Sequence, residues 1–194
     1  MPWSSDHKQA TRARIVDAAS PALRSRGVEG VGVAEVMKAA GLTHGGFYAH
    51  FGSKEELVSE AIAHAAAQTR ARRSDVAAKA PAGRKLPAVA EAYLGRQHSE
   101  HPEWGCPIAA LGSELARGAG PAREAAGVAL RELLAWLELQ AADLPRAERR
   151  RHAAGALATC VGAITVARAM GGGADADEYL SQVRRFLRAA LDVR

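Results

Sequence analysis

Apolar positions along the chain recur mostly every three to four residues, the spacing of a buried helical face, and no stretch alternates strictly with period two. The pattern predicts an all-helical protein. A first helix is expected from about Lys8 to Arg26, with Ile15, Ala18, Ala19 and Leu23 on one face and Gly27 closing it. Pro21 removes a backbone hydrogen bond inside it and should bend or restart it. A short helix over 33–40 stops at Gly41, and another, about Thr43 to His50, stops near Gly52. Ser53-Lys54-Glu55-Glu56 has the form of a capping box, in which Ser53 caps an amide and Glu56 reaches back. It opens a fourth helix whose stripe of Leu57, Ala61, Ile62 and Ala65 runs on to about Ala78.

Residues 79–87 (KAPAGRKLP) read as a loop. Further helices are expected at about 88–101, 107–117, 121–143, 146–170 and 176–192. The last carries Tyr179, Val183, Phe186, Leu187, Ala190 and Leu191 on one stripe. The helix before it is apolar on nearly every side from Ala153 to Ala167, so it must be covered all round, by its own fold or by a partner subunit. That run is too short to cross a bilayer comfortably.

The stretch GLTHGGFYAHFGSKEEL, residues 41–57, sets two adjacent glycines beside Phe47 and Tyr48 in a segment that otherwise reads as helix. Glycine inside a helix costs about 1 kcal/mol relative to alanine. Helix, tight turn and short helix at 33–40, 41–43 and 43–50 is the spacing of a helix-turn-helix, whose second helix lies in the DNA major groove. The spacing explains the glycines. Bare Gly45 and Gly46 allow close approach to DNA, Phe47 packs into a three-helix core, and Tyr48 offers its hydroxyl to a phosphate.

Charge changes the picture slightly. The 194 residues carry 26 Lys and Arg against 21 Asp and Glu, a net +5, which alone names no partner. Residues 1–54 hold seven cations against four anions, with His7, His44 and His50 besides, so a small basic N-terminal module faces a polyanion well. The two cysteines, Cys106 and Cys160, have no metal spacing, which suggests a reducing, cytoplasmic setting. The N-terminus lacks the apolar core of a signal peptide.

Catalytic motifs are missing. There is no Walker A, HExxH or GxSxG sequence, and neither Gly30-Val-Gly32 nor Gly118-Ala-Gly120 completes a dinucleotide fingerprint, so no enzyme activity and no cofactor is expected. His98 and His101, with Glu100 and Glu103, read as a solvated helix end rather than a metal site, and Arg149-Arg150-Arg151 as a solvated face.

Residues Thr11 to Leu57 resemble the DNA-binding domain of the tetracycline-repressor (TetR/AcrR) family. The resemblance rests on Arg26-Gly27, the alanine-rich second helix, Ala39-Ala40-Gly41-Leu42-Thr43, Phe47-Tyr48, His50-Phe51, Gly52-Ser53-Lys54-Glu55 and Leu57. It implies an N-terminal three-helix helix-turn-helix domain over 1–55 and a larger helical effector-binding and dimerisation domain over 56–194. It also implies that Thr43 caps the reading helix and touches phosphate. His44, Gly45 and Gly46 would face base edges, and Tyr48, His50 and Lys54 would meet phosphates. Two positions depart from the family pattern: Gly32 stands where Thr or Ser is usual, and Pro21 where an ordinary helix former is usual.

The function implied is a homodimeric regulator, a repressor of a palindromic double-stranded operator, released by a small-molecule effector. The last two helices would close the dimer through Leu157, Val161, Ile164, Val183, Phe186 and Leu187. The pocket would lie among the middle helices, with Tyr93, Trp104, Cys106, Leu111, Trp136 and Met170 as candidate walls. Cys106 has a second reading. Pro107 makes it the N-cap of the following helix, a place that lowers a thiol pKa, so it is either a redox or electrophile sensor or a packed small hydrophobe. An all-helical enzyme and a ligand-binding protein without DNA function are the other classes; loss of DNA binding with salt separates the regulator from both.

Overall fold

The computed structural model describes residues 5–192, which form helices and no strand. In chain order they are α1 (Ser5–Arg26), α2 (Val33–Ala39), a 3₁₀ helix (His44–Ala49), α3 (Lys54–Lys79), α4 (Lys85–Tyr93) and α5 (Arg96–Glu100). A second 3₁₀ helix (Pro102–Trp104) leads to α6 (Pro107–Arg117), α7 (Gly120–Gln140), α8 (Arg146–Ala169) and α9 (Gly173–Leu191). The chain divides into two compact units, Met1–Ala67 with Pro102–Ala129, and Gln68–His101 with Leu130–Arg194.

This division differs from one at residue 55. α3 runs unbroken from Lys54 to Lys79, and its first turns, through Leu57, Val58, Ala61 and Ile62, belong to the core of the first unit. That core also takes Ile15, Val16, Ala19 and Leu23 from α1, Val36 and Met37 from α2, Phe47 and Phe51, and Leu111 and Leu115 from α6. α1 continues without interruption through Pro21. Gly27 ends it at φ +80°, a conformation that an L side chain adopts only with strain.

In the second unit, Ala77, Leu86, Val89, Leu133, Leu137, Ala141, Ala153 and Ala156 form the core, and α9 packs along α8 and α4. The helix expected over 88–101 is two helices. α4 ends at Tyr93, and Leu94 and Gly95 separate it from α5. Four carbonyls at the break and along α5 accept side-chain hydrogen bonds: Tyr93 O from His98 Nδ1 (2.7 Å), Leu94 O from Arg184 (2.8 Å), and His98 O and Ser99 O from Arg168 (2.7 and 3.2 Å). His98 is therefore not a solvated helix end. Its burial pushes the imidazole pKa down to about 4, with Arg168, Arg73 and Arg72 adding to the fall and the Tyr93 carbonyl opposing it.

α8 is long and apolar enough to cross a membrane by length and composition alone. Its own fold covers one face only: Ala153, Ala156, Cys160, Ala163, Ile164 and Ala167 are buried, while Ala154, Gly155, Ala158, Gly162, Thr165, Val166, Ala169 and Met170 are exposed. One face serves this unit's core and the opposite face is open.

Candidate nucleic-acid interface

The turn between α2 and the first 3₁₀ helix is built from Ala40, Gly41 and Leu42. Gly41 sits at φ +70°, and the Leu42 amide bonds to Met37 O at 2.8 Å, closing the end of α2. Arg14 of α1 donates to Ala40 O at 2.5 Å and holds the turn from behind. The reading segment expected as a helix near 43–50 is a 3₁₀ helix over His44–Ala49, the tighter form used in short pieces. Two adjacent glycines and one turn and a half of chain give an α-helix little to hold it. Thr43 occupies the N-cap with extended geometry, but its hydroxyl makes no capping hydrogen bond, so the hydroxyl is not committed to the helix end.

Within this short helix the side chains divide cleanly. Phe47 is 1% exposed and stacks on Phe51 at 5.5 Å, whereas Tyr48 is 72% exposed. His44 and Gly45 face outward with Thr43 and Tyr48, and Gly46 is half-buried. A Cβ added at Gly45 would meet nothing within 4 Å, and one at Gly46 only ordinary contacts with Met37 and Thr43 (3.7 and 3.9 Å). Neither glycine has a positive φ. The fold itself therefore asks for glycine at neither position.

His50 is the C-cap of this helix, and Lys54 opens α3 a few residues on. Arg12 of α1 fixes this end: its guanidinium lies 4.1 Å over the Phe51 ring, donates to the His50 carbonyl, and pairs with Glu56 and Glu60 of α3. These partners raise the Arg12 pKa further, Glu60 most. The Glu56 carboxyl is held below its usual range, first by Arg12 and then by the Gly52 amide. The capping box is altered in one arm. Ser53 Oγ accepts from the Glu56 amide at 3.1 Å as expected, but Glu56 reaches back to the Gly52 amide (2.7 Å) instead of Ser53.

The His50 ring is half-buried and its Nδ1 is buried with no hydrogen-bond partner among the described residues. Desolvation lowers its pKa, followed by the charges of Lys8, Arg12 and His7, so the ring is neutral near pH 7 beside a group of cations. His7 and Lys8, exposed at the start of α1, thus add positive potential at the His50 end, a contribution the sequence motif alone does not single out. Gly32 caps α2 without a side chain, in open space, so the contact a Thr or Ser would make there is missing. Beside Lys54 a cleft of about 430 Å³ is lined by charges of both signs, Glu29, Glu55 and Glu114 with Lys54, Arg117 and Arg123.

The remaining expected site residues scatter. Cys106 is the N-cap of α6 ahead of Pro107, but its thiol makes no cap bond and is 2% exposed in the first unit. Leu111 is core of that same unit, and Trp104 is 61% exposed. In the second unit a cavity of about 20 Å³ is lined by Tyr93, with Arg73, Leu86, Val89, Leu133 and Leu137 among its walls. Trp136 stands behind Arg73 and Met170 is exposed at the end of α8, so of the six candidate walls only Tyr93 lines it. Leu157, expected at a dimer contact, lines this cavity too. Ile164 and Leu187 are buried at 0% and 4%, which leaves Phe186, with partly exposed Val161 and Val183, on the surface. Among the described residues no three His, Cys, Asp or Glu side chains gather as a metal site.

Comparison with known proteins agrees with this geometry. The family description "Bacterial regulatory proteins, tetR family" matches residues 15–61. The HTH-type transcriptional regulator TtgR of Pseudomonas putida is 43% identical over 53 residues, 27% of this chain and 25% of TtgR's length. A TetR transcriptional regulator from Chloroflexus aurantiacus is 25% identical and superposes over 93% of this chain and 95% of its own, at a TM-score of 0.77. A TetR-family regulator from Cytophaga hutchinsonii covers all of both chains at a TM-score of 0.81 with 21% identity, a likeness of fold. Residues 15–61, the helix-turn-helix part of the chain, thus match the tetR family of bacterial regulatory proteins, and the chain as a whole shares the fold of TetR-family transcriptional regulators.

Proposed function

We propose that the protein is a cytoplasmic DNA-binding transcriptional regulator, a repressor that holds a palindromic operator as a homodimer and lets go when a small molecule binds. The observation that carries this reading is the 3₁₀ helix at His44–Ala49: two glycines with no internal reason to be glycine, flanked by exposed His44 and Tyr48. In this reading His44, Gly45 and Gly46 meet base edges, and Thr43, Tyr48, His50 and Lys54 meet phosphates. Phosphate contacts fix register and base contacts read sequence.

The dimer reading draws support from the open face of α8. Gly155 and Gly162 lie in the interior of a 24-residue helix, and a Cβ on either would meet nothing within 4 Å. Each weakens the helix by about 1 kcal/mol relative to alanine. A second helix approaching closely along Ala158, Gly162 and Val166, with exposed Phe186 beside it, accounts for both glycines and for the apolar exposure. Two subunits then place two readers about one DNA turn apart, roughly 34–36 Å.

The effector pocket is assigned to the second unit, around the cavity lined by Tyr93 and Arg73. Cys106 is not carried forward as a switch, because its sulfur is buried in the first unit's packing where an oxidant has no access. The reading is tested by selecting genomic fragments with the purified protein. It expects enrichment of a few fragments sharing an inverted repeat; recovery of no sequence above background overturns it.

A further inference from the structure

Two groups that could bring positive charge to the His50 end of the reading segment are already committed. Arg12 of α1 gives its guanidinium to Glu56 and Glu60 of α3, to the His50 carbonyl and to the face of the Phe51 ring. A cation paired with two carboxylates keeps no net charge for a phosphate. His50 is the other. Its Nδ1 is buried without a partner among the described residues, and burial holds the ring neutral near pH 7.

Lys8 is different. It lies one helical turn before Arg12, in phase with Arg12, Ile15, Ala19 and Leu23 along the stripe that α1 turns toward the helix-turn-helix core. Further along that stripe the side chains find partners, but at Lys8 it has run past the core and the side chain is exposed. Among the described residues Lys8 makes no ion pair. Its charge nevertheless acts on the His50 ring, ahead of the charges of Arg12 and His7. An unpaired, exposed cation therefore stands beside the ring that carries no charge of its own.

We propose that Lys8 of α1 is a further DNA contact, which neutralises a phosphate at the His50 end of each half-site. This rests on the reading of the segment from Thr43 to Lys54 as the DNA face. His50 then serves there as a hydrogen-bonding group, and Arg12 as the brace that holds its carbonyl. Lysine suits the place, because a compact charge on a flexible four-carbon stem can follow a phosphate without a fixed geometry. Lys8 lies outside residues 15–61, the part of the chain that the family description matches, so no motif assigns it this task.

The test uses the full chain, with the operator recovered by selection and a duplex of random sequence as probes. Affinities are measured by fluorescence anisotropy from about 50 to about 200 mM salt. Wild type is compared with Lys8→Gln, Lys8→Arg and Lys79→Gln, the last an exposed cation at the end of α3 that controls for net charge. Melting curves show that each variant is folded. Lys8→Gln should flatten the slope of log affinity against log salt by about two in a dimer, one phosphate per subunit, and weaken both duplexes by the same factor. Lys8→Arg should restore the wild-type slope, and Lys79→Gln should match wild type. A slope in Lys8→Gln no flatter than in Lys79→Gln, a Lys8→Arg protein that stays flat, or a loss confined to the operator overturns the proposal. Lys54→Ala keeps the two readings apart. If it flattens the slope and Lys8→Gln does not, only the Lys8 contact falls; if neither does, the DNA face itself is wrong.

Discussion

The buried guanidinium of Arg24 on α1 donates to the Gly105 carbonyl at 2.9 Å, across 81 residues of sequence. A few residues on, the Glu114 carboxylate of α6 accepts from the Val28 amide at 2.8 Å, just past the end of α1. These two bonds tie residues 102–117 to the helix-turn-helix helices. Arg24 also bonds Ser20 O at 3.2 Å and is 5% exposed, so its removal leaves buried acceptors empty. Arg24→Met should cost about 2–3 kcal/mol and lower the melting temperature by several degrees, whereas Arg117→Met, at an exposed position, should leave it unchanged. Equal melting of the two variants would remove the tie.

The glycines of the reading helix separate folding from binding. Gly45→Ala adds a methyl into open space, so the free protein should be as stable as wild type or up to about 1 kcal/mol more stable. Operator affinity should nevertheless fall at least ten-fold, because the methyl stands where the DNA surface must come. Denaturation curves and gel-shift titrations on the same preparations decide it; undiminished affinity would show that the glycines serve something else.

Roles within the face are separable as well. Lys54→Ala and Tyr48→Phe should weaken binding to operator and random DNA alike, while His44→Ala should shift sequence preference by about 1–3 kcal/mol of discrimination. Competition with mutated operators reads this directly. If all three variants lose specificity equally, the division into phosphate and base contacts is wrong.

Dimer closure is tested by two residues that the sequence pattern treats alike and the structure does not. Phe186 is 63% exposed and Ile164 is 0% exposed, so Phe186→Glu should yield a folded monomer while Ile164→Glu should unfold the second unit. Sedimentation and circular dichroism distinguish the outcomes. A dimeric Phe186→Glu protein moves the interface off this face.

His98 predicts an acid-sensitive fold. Its folded pKa of about 4 lies below its ordinary value of 6.5, so between those limits the unfolded chain takes up a proton that the folded one refuses. Its contribution is fully present above pH 6.5 and is lost as the pH falls, by about 3 kcal/mol on reaching pH 4. His98→Asn, whose amide can replace the Nδ1 donor, should flatten the decline of melting temperature from about pH 7 to about 4.5. An equal decline in both proteins would place the acid sensitivity elsewhere.

What could be read in advance depended on how local the signal was. The helix-turn-helix was legible because Gly41, Phe47, Phe51 and Leu57 act through fixed short spacings, and α6 because Pro107 marks its start. The break at Leu94–Gly95 was not, since carbonyls there and along α5 accept from Arg184 and Arg168, 90 and 69 residues away. Periodicity also states that a face is apolar without stating what covers it. Leu111 and Leu157 carry the same kind of helical pattern, yet one joins the helix-turn-helix core and the other lines the second unit's cavity. α3 and α7 each supply both units in one unbroken helix, so no composition shift marks the boundary.

The central claim, a dimer clamped on DNA phosphates through this face, is tested most directly by salt. Each phosphate neutralised contributes about −0.9 to the slope of log affinity against log salt. A dimer whose Lys54 meets a phosphate in both subunits should give a slope of about −2 or steeper on a recovered operator, and Lys54→Ala should flatten it by about two, one per subunit. A slope near zero, or one that Lys54→Ala leaves untouched, would contradict the account.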